Sequence, residues 1–318
     1  MQQWNSRQRQ TPGTILVVGT VGFDDIETPF GSVRGVLGGS ASYFAAAASL
    51  YAPVRLVAVV GSDMPSDTLD FLRERGVDLR GLQVAEGKTF RWGGRYGYDL
   101  NSRDTLFTEL GVYEGFRPVT HPEYAESEFV FLANIHPALQ QEVLGQVRRP
   151  RLTMMDSMNL WIETARDALT DTMRRVDMVC LNDSEAREFA GTSSLLTAAR
   201  RILALGPKVV LIKKGECGAV MVTDDEYFVA PAYPLEEARD PTGAGDSFAG
   251  GFLGYLAQHD GDITPDVLKR AVIHGSAVAS FTVEEFSLDR LRRLTRAEVE
   301  RRYWEFTRLT YFDDVVRD

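Results

Sequence analysis

The sequence predicts an α/β fold, in which helices cover both faces of a mainly parallel β-sheet. Short runs of β-branched and other apolar residues alternate with stretches of helical periodicity along most of the chain. Strands that are apolar throughout are typical of parallel sheets, because such sheets are buried on both faces. With 318 residues, of which 44% are hydrophobic and 25% charged, the chain can bury a large core.

Strands and helices are predicted in regular alternation. The strands are expected at residues 15–19, 55–60, 128–133, 152–155, 178–181 and 209–212. The helices are expected at residues 40–51, 67–75, 138–147, 162–176, 184–190, 194–205 and 247–258, with a terminal amphipathic helix around the arginine-rich segment 290–302. Because ligands of such sheets bind beyond the carboxyl ends of the strands, we expect a functional site in the loops that follow them.

Two stretches depart from this alternation and are predicted to be hairpins, at residues 26–36 and 89–110. In the second, a period of two places Phe90, Trp92, Tyr96 and Tyr98 on one face and Arg91, Arg95 and Asp99 on the other. An aromatic face outside the main core needs a cover, which is the substrate, the main domain or the second subunit of a homodimer. These alternatives stay open, and Arg91 is as consistent with a solvated side chain as with a functional one.

Composition argues against several classes of function. The formal net charge of −10 disfavours nonspecific binding to nucleic acid or to anionic membranes, although a local anion site can still bind ATP. No apolar run reaches transmembrane length, and the N-terminus carries no hydrophobic signal segment. Cys180 and Cys217 lie far apart and fit buried thiols in a reducing cytoplasm. The polar residues 1–13 are expected to be a disordered lead-in to one domain of residues 14–318.

The segment D-P-T-G-A-G-D-S-F-A-G-G, residues 240–251, carries the strongest functional signal. The small residues Gly243, Ala244 and Gly245 precede the carboxylate of Asp246 and an apolar stretch of helical spacing. Small residues let a ligand approach the backbone, and a helix start offers unpaired N–H groups and a positive dipole end to an anion. Such an anion hole suits phosphoryl transfer to an alcohol, with Asp246 taking the proton of the attacking hydroxyl. The alternative is a glycine-rich loop that only turns the chain into a buried helix.

Other polar groups follow predicted strands where an acceptor would bind. Residues 20–25 follow the first strand, so Asp24 or Asp25 is placed to hydrogen-bond a polyhydroxy substrate. Gly38 and Gly39 precede an alanine-rich helix and offer backbone N–H groups, with Ser40 as the expected N-cap.

Two further loops are candidates for binding a nucleotide and its cation. Asn182 and Glu185 end a strand and begin a helix, where an amide and a carboxylate suit a hydrated magnesium ion. An ordinary helix cap is an equal alternative for Asn182. Lys213, Lys214 and Gly215 follow the next strand, where a lysine is placed to meet phosphate oxygens. The histidines and cysteines show no metal-ligand spacing, so a zinc site is not expected.

With these motifs the chain resembles the ribokinase-like (PfkB) carbohydrate kinases, from about residue 15 to about residue 291. The resemblance rests on D-P-T-G-A-G-D-S-F, on G-G-S-A-S-Y-F-A-A-A-A-S-L, on N-D-S-E and on K-K-G-E-C-G. It implies a three-layer α/β/α sandwich with a mainly parallel central sheet, and a small β-sheet lid that residues 26–36 and 89–110 would form. It also implies Mg²⁺-dependent transfer of the γ-phosphate of ATP to a hydroxymethyl group.

The resemblance implies a role for each matching residue. Asp246 matches the catalytic base, and Gly243, Ala244 and Gly245 match its anion hole. Asp24 and Gly39 match sugar contacts, and Gly38, Ser40, Tyr43, Trp92 and Asn134 are expected beside them on the acceptor side. Asn182 and Glu185 match the magnesium and phosphate network, with Glu185 holding the ion through water, whereas Lys213, Lys214, Gly215, Gly218 and His274 match nucleotide contacts. Asp240 and Thr242 match part of a monovalent-cation site, for K⁺, that some members contain.

Departures from the ribokinase pattern bear on the acceptor. Ser40 and Tyr43 stand where ribokinases usually carry lysine and asparagine, and Gly22 replaces an asparagine often found two residues before the first-loop aspartate. These changes remove hydrogen-bonding groups for ribose hydroxyls, and they add an aromatic surface to that of Trp92 and Tyr96.

The expected function is an ATP- and Mg²⁺-dependent kinase that acts on the primary hydroxyl of a sugar or sugar-containing small molecule. A nucleoside kinase is the alternative within that class, because an aromatic lid can stack on a base. A catalytically silent sugar or nucleotide sensor is the alternative outside it, although a sensor would not need the carboxylate of Asp246.

Overall fold

The computed structural model of the chain describes residues 11–310. Its strands are β1 (Ile15–Val18), β2 (Gly22–Thr28), β3 (Gly31–Gly38), β4 (Val54–Gly61), β5 (Asp78–Ala85), β6 (Arg91–Tyr96), β7 (Arg103–Glu109), β8 (Phe129–Leu132), β9 (Leu152–Asp156), β10 (Met178–Asn182), β11 (Val209–Lys213), β12 (Ala219–Val222) and β13 (Tyr227–Ala230). A large sheet has the order β13-β12-β11-β10-β9-β8-β1-β4-β5, and a small sheet has the order β3-β2-β6-β7. In the large sheet every pair is parallel except β11–β12 and β12–β13.

The helices cover both faces of the large sheet. They are α1 (Ser40–Ala48), α2 (Asp70–Glu74), α3 (Pro137–Leu144), α4 (Asn159–Thr164), α5 (Arg166–Met173), α6 (Asp183–Ala190), α7 (Leu195–Leu203), α8 (Ala244–Gln258), α9 (Pro265–Thr282), α10 (Asp289–Arg293) and α11 (Arg296–Thr310). Ile15 and Val17 point into a core shared with α1, α8 and α9, whereas Leu16 and Val18 point into a second core shared with α3, α5, α6 and α7. The predicted three-layer α/β/α sandwich is therefore confirmed.

The six predicted strands are present within one or two residues, but three helix predictions are wrong in detail. The terminal helix expected around residues 290–302 is interrupted after Arg293, so that α10 and α11 stand in its place. The helix expected at residues 162–176 is two helices, because the chain turns at Ala165, which has φ −138° and ψ 34°. The break lets α4 lie against α6, where the Asn159 amide donates to Glu188 at 2.6 Å. Helix α8 begins at Ala244 instead of residue 247 and so brings Asp246 into its first turn. Strands β5, β12 and β13 and helix α9 were not predicted.

Close packing explains the small residues in the middle of α8. A β-carbon on Gly250 would lie 2.6 Å from the carbonyl oxygen of Phe44 in α1, and one on Gly251 would lie 3.0 Å from that of His274 in α9. Glycine at these positions lets three helix backbones approach closely. The small residues of the segment therefore have a packing role after Ala249, in addition to any role at the helix start.

The small sheet is the predicted lid, separate from the large sheet. Its hairpins β2–β3 and β6–β7 are joined by parallel pairing of β2 with β6, which sets Asp24 beside Trp92 and Ile26 beside Gly94. Since paired residues point to the same side, Trp92 and Tyr96 share the face of the buried Asp24 and Ile26, which is turned toward the main domain.

The predicted aromatic face is only partly correct. Tyr98 lies beyond the end of β6 and is 86% exposed, so it covers nothing. Phe90 precedes β6 and packs edge-on against Tyr113, with ring centroids 5.9 Å apart. On the outer face, Arg91 forms an ion pair of 3.1 Å with Asp25, so it has a surface partner there. The homodimer through the lid stays a prediction.

Residues 1–10 of the predicted lead-in and residues 311–318 of the predicted domain lie outside the described residues. Gly13 donates its N–H to the carbonyl oxygen of Ala257 at 2.8 Å, so the end of the lead-in is tied to the fold. Within residues 11–310, none of the helices combines the length and apolar character that crossing a membrane requires.

Candidate active site

The N-terminus of α8 has the geometry of an anion hole. Gly243 is its N-cap with φ 74°, a left-handed conformation that favours glycine. The N–H of Ala244 donates to Pro241 and that of Ser247 to Gly243. The N–H groups of Gly245 and Asp246 lie between them in the first turn, where amides lack an intrahelical acceptor. The positive end of the helix dipole and these N–H groups therefore face one point beside Asp246.

Asp246 lies partly buried beside this helix start. Burial raises the pKa of Asp246 to about 8, with the Asp156 carboxylate adding to the rise and the Lys213 ammonium group opposing it. A carboxyl group with a pKa near the working pH can both accept and release a proton, as a general base must. The residue predicted as the base therefore has the electrostatic surroundings of one.

Lys213 is paired with a carboxylate that the motifs did not indicate. Its Nζ lies 2.5 Å from Oδ2 of Asp156, and the two side chains are 16% and 5% exposed. Asp156 ends β9 and Lys213 ends β11, so the pair bridges the carboxyl end of β10. Asp156 belongs to none of the sequence motifs. The one sequence signal for it was that it directly follows a predicted buried strand.

Asn182 and Glu185 form a complete capping box at the start of α6. The Asn182 Oδ1 accepts the N–H of Glu185 at 2.7 Å, and the Glu185 Oε2 accepts the N–H of Asn182 at 2.8 Å. Burial, with a further contribution from Asp156, raises the pKa of Glu185 to about 7. Asn182 therefore does cap the helix, as the alternative interpretation held. The cap also places the buried carboxyl group of Glu185 beside the Asp156–Lys213 ion pair.

The predicted nucleotide loop connects β11 and β12. The Lys214 N–H donates to the Gly218 carbonyl at 2.8 Å, and a short 3₁₀ turn spans Gly215–Cys217. Gly215 has φ 54°, and a β-carbon there would overlap the side-chain oxygen of Asn101 at the tip of the lid. The lid tip therefore rests on the nucleotide loop.

Asp24 and the paired glycines lie together, as predicted for residues of the acceptor side. A β-carbon on Gly38 would overlap the Asp24 carboxylate, and the Gly39 N–H hydrogen-bonds that carboxylate. Burial, reinforced by the nearby carboxylate of Asp240, raises the pKa of Asp24 to about 8. Asp25 instead points outward, where its Oδ1 accepts the N–H of Gly35 at 2.8 Å. Of the two aspartates considered, Asp24 is the one at the site.

Ser40 and Asn134 lie together, as expected for neighbours on the acceptor side. The Ser40 hydroxyl donates to the Asn134 carbonyl oxygen at 3.2 Å. The Asn134 side chain accepts from Trp161 Nε1 at 2.9 Å and donates to Met158 Sδ at 3.1 Å. Trp161 was not predicted. Ser40 is not the N-cap that was predicted. Gly39 is the N-cap of α1, and Ser40 is the first residue of the helix.

Tyr43 and Asp240 lie under the helix start. The Tyr43 ring fills the space where Gly243 would carry a β-carbon, and its buried hydroxyl has no hydrogen-bond partner among the described residues. Asp240 is fully buried and accepts the N–H groups of Thr242 and Ser287, each at 2.8 Å. The Thr242 hydroxyl lies 3.2 Å from the Tyr96 hydroxyl, so Tyr96 packs the lid onto the main domain.

No cluster of three acidic, histidine or cysteine side chains suited to a metal occurs in the described part of the chain.

His274 lies among aromatic side chains, away from the start of α8. Its ring is stacked between Tyr255 and Tyr303, at centroid distances of 4.3 and 4.4 Å, and its Nδ1 lies 3.2 Å from the Tyr51 hydroxyl. Tyr255 is nine residues beyond Asp246 in α8, a rise of roughly 13 Å along a helix. The predicted nucleotide contact of His274 has no support from this position.

The arrangement suits a magnesium–nucleotide complex. The α8 start and the Lys213 ammonium group offer positive charge to phosphate oxygens. Glu185 and Asp156 add excess negative charge nearby, and Mg²⁺ bound largely through water and phosphate needs only one or two carboxylates. These residues therefore fit both ATP and its cation.

Comparison with known proteins agrees with this geometry. Residues 17–291 match the model of the pfkB family carbohydrate kinases. A cytidine kinase from Thermococcus kodakarensis is 35% identical over 245 residues, which are 75% of this chain and 87% of that protein. A nucleoside kinase from Methanocaldococcus jannaschii is 24% identical over 187 residues, 58% of each chain.

Solved structures share the fold. The nucleoside kinase of Methanocaldococcus jannaschii superposes with a TM-score of 0.74 at 20% identity, covering 93% of this chain and 99% of that one. An Escherichia coli putative ribokinase II in complex with ATP and Mg²⁺ has a TM-score of 0.74 at 18% identity, covering 92% and 99%. ATP is the substrate of kinases in this family. The chain belongs to the pfkB family of carbohydrate kinases, and it is a phosphotransferase that acts on a nucleoside or a sugar.

Proposed function

We propose that the protein transfers the γ-phosphate of ATP to the primary hydroxyl of a nucleoside. The observation that carries the proposal is the Asp246 carboxyl group at the start of α8, beside an anion hole and the Lys213 ammonium group. A nucleoside is favoured over a plain sugar because similar proteins are named cytidine kinase and nucleoside kinase. The Trp92 ring, paired beside Asp24, adds aromatic surface on the acceptor side, as a base would require.

The reaction follows from the placement of these groups. Asp246 takes the proton of the acceptor hydroxyl as its oxygen attacks the γ-phosphorus. The N–H groups at the α8 start and Lys213 hold the oxygens of the transferring group, where charge is spread in the transition state. Asp24 hydrogen-bonds sugar hydroxyls of the acceptor. When bound, Mg²⁺ neutralises the phosphate charge, and Glu185 holds it through water.

The proposal is tested by assaying the purified protein with ATP and Mg²⁺ against panels of nucleosides and plain sugars. We expect kcat/KM to be highest for a nucleoside, with cytidine included among the acceptors. A sugar that exceeds every nucleoside would favour the sugar kinase instead. Absence of transfer to any acceptor, with ATP still bound, would favour the silent sensor.

Replacing Trp92 with alanine is expected to raise the KM of a nucleoside acceptor about tenfold, because stacking on a base contributes roughly 1–3 kcal/mol. The KM of ATP should change little. Tyr98→Ala is the matched control, since that aromatic residue of the same hairpin is 86% exposed. If Trp92→Ala abolishes dimer formation and leaves the acceptor KM unchanged, the ring belongs to a subunit interface.

Replacing Glu185 with glutamine is expected to raise the magnesium concentration needed for half-maximal rate. Glutamine can keep the capping box while the charge is lost, so the helix start is preserved. Glu188→Gln, on the same helix, is the control, because Glu188 bonds Asn159 instead of facing the site. An unchanged magnesium dependence in Glu185→Gln would leave Asn182 and Glu185 as a helix cap only.

We further propose that the buried Asp240 and Thr242 belong to a K⁺ site. The support is the placement of two oxygen-bearing side chains, both buried, at the base of the helix start. Comparing rates in potassium and in tetramethylammonium salts tests this, and equal rates would contradict it.

A further inference from the structure

We propose that Asp156 is a positioning residue for phosphoryl transfer, because its carboxylate holds the Lys213 ammonium group against Gly245, where that group contacts the transferring phosphoryl oxygens. The inference rests on the proposed function of the α8 site. Neither residue type nor motif marked Asp156 in the sequence, and its partner is 57 residues away.

The contacts fix the ammonium group at the anion hole. A β-carbon on Gly245 would lie 3.0 Å from Lys213 Nζ, so that nitrogen stands directly beside the backbone of the first turn of α8. On its other side lies Asp156 Oδ2, at 2.5 Å. Oδ1 of the same carboxylate accepts the N–H of Ser157 at 2.8 Å, which fixes the orientation of the carboxylate. Because lysine has a flexible four-carbon stem, a fixed counter-ion determines where its charge stands.

The charges around the pair support this role. The titratable groups whose charges shift the pKa of Lys213 are Asp156, Cys180, Glu185 and Asp246. Those whose charges shift the pKa of Asp246 are Asp156, Lys213, Asp24 and Glu185. Burial alone would lower the pKa of Lys213, but the surrounding acidic groups hold it above its ordinary range. The ammonium group therefore keeps its proton and supplies a fixed positive charge. An ammonium group has three N–H donors, so one can bond Asp156 while others bond phosphate oxygens.

Phosphoryl transfer requires no proton to enter or leave the Asp156–Lys213 pair. The acceptor oxygen forms a bond to the γ-phosphorus while the bond to the β–γ bridging oxygen breaks, and its electron pair leaves with ADP. The hydroxyl proton passes to Asp246. Lys213 keeps its proton throughout, so the part of the pair is to place positive charge where the phosphoryl oxygens gather negative charge.

The test compares Asp156→Asn, Lys213→Met, Lys213→Arg and the double variant Asp156→Asn with Lys213→Met. We expect each uncharged single variant to lower kcat about 10²-fold, the lower end of the range for one lost transition-state contact. Lys213→Arg should recover part of that loss. Lys208→Met is the matched control, because the exposed Lys208 directly precedes β11, at the other end of that strand from Lys213, and pairs with Asp177 at 3.5 Å.

The pH profile separates positioning from a merely structural role. Because Asp156 raises the pKa of Asp246 and Lys213 lowers it, the acidic limb of kcat should move to lower pH in Asp156→Asn and to higher pH in Lys213→Met. The proposal would be overturned if the acidic limbs of the two pH profiles stayed in place or moved in the same direction. It would also be overturned if the variants had the same kcat as the unmodified protein.

Two measurements do not depend on turnover. Calorimetric affinity for ATP should weaken in Lys213→Met and stay unchanged in Lys208→Met, and equal affinities would count against the Lys213 contact. The double variant should have a higher melting temperature than Asp156→Asn, because it leaves no unpaired buried charge. This comparison of melting temperatures measures the contact even if a single variant folds poorly. If the unmodified protein phosphorylates no acceptor but Lys213→Met weakens ATP binding, the proposed function fails while the Lys213 contact stands.

Discussion

Replacing Asp246 with asparagine is expected to lower kcat by about 10²–10⁴-fold and to leave the affinity for ATP largely intact. Asparagine keeps the shape of the side chain at the α8 start, but it cannot take the hydroxyl proton. Because burial raises the pKa of Asp246 to about 8, the rate of the unmodified protein should also rise with pH up to that region, as the carboxylate form becomes populated. Turnover against pH and calorimetric ATP binding measure both effects.

Asp266→Asn provides the control for Asp246→Asn. Asp266 also lies in the first turn of a long helix, α9, but away from the site. The folded-state pKa of Asp246 lies above its unfolded value, so this carboxyl group contributes stability that is lost as pH rises toward 8. Asp246→Asn should therefore melt no lower than the unmodified protein at pH 8, which rules out unfolding as the cause of lost turnover. Near-normal turnover in Asp246→Asn would remove Asp246 as the base.

Replacing Gly243 with alanine is expected to lower kcat by about 10²–10³-fold, the range observed for loss of one donor of an anion hole. Alanine there is strained by the left-handed φ of 74°, and its β-carbon would overlap the Tyr43 ring. Either the ring or the first turn of α8 must move, and the N–H groups of that turn then point elsewhere. The measurement is kcat, with the melting temperature recorded in parallel.

Gly191→Ala separates backbone strain from displacement of the helix start. Gly191 ends α6 with φ 62°, and no atom of residues 11–310 lies within 4 Å of a β-carbon placed on it. Both variants should lose stability of about 1 kcal/mol through strain, but Gly191→Ala should keep its turnover. If Gly243→Ala also keeps its turnover, the start of α8 does not hold the transferring phosphoryl group.

The sequence predicted the strands well because each is a short apolar run buried on both faces. It also indicated the site at the sheet edge, since polar groups directly after such runs share one edge in a parallel sheet. The break at Ala165 could not be predicted, because it depends on α4 packing against α6 and not on a glycine or proline. Asp156 and Trp161 were missed for a similar reason, since each acquires its role from a partner distant in sequence. His274 matched a family position, but its aromatic neighbours come from three separate helices or their ends.

The contact between Asn101 and Gly215 joins the tip of the β6–β7 hairpin to the loop predicted to hold the nucleotide. Lifting the β6–β7 hairpin to admit an acceptor also removes the lid tip from the loop predicted to hold the nucleotide. If the hairpin moves as a lid, one movement would therefore uncover both halves of the cleft. Entry of the acceptor and departure of ADP would then share a single opening event, whose frequency limits how often the two products can leave.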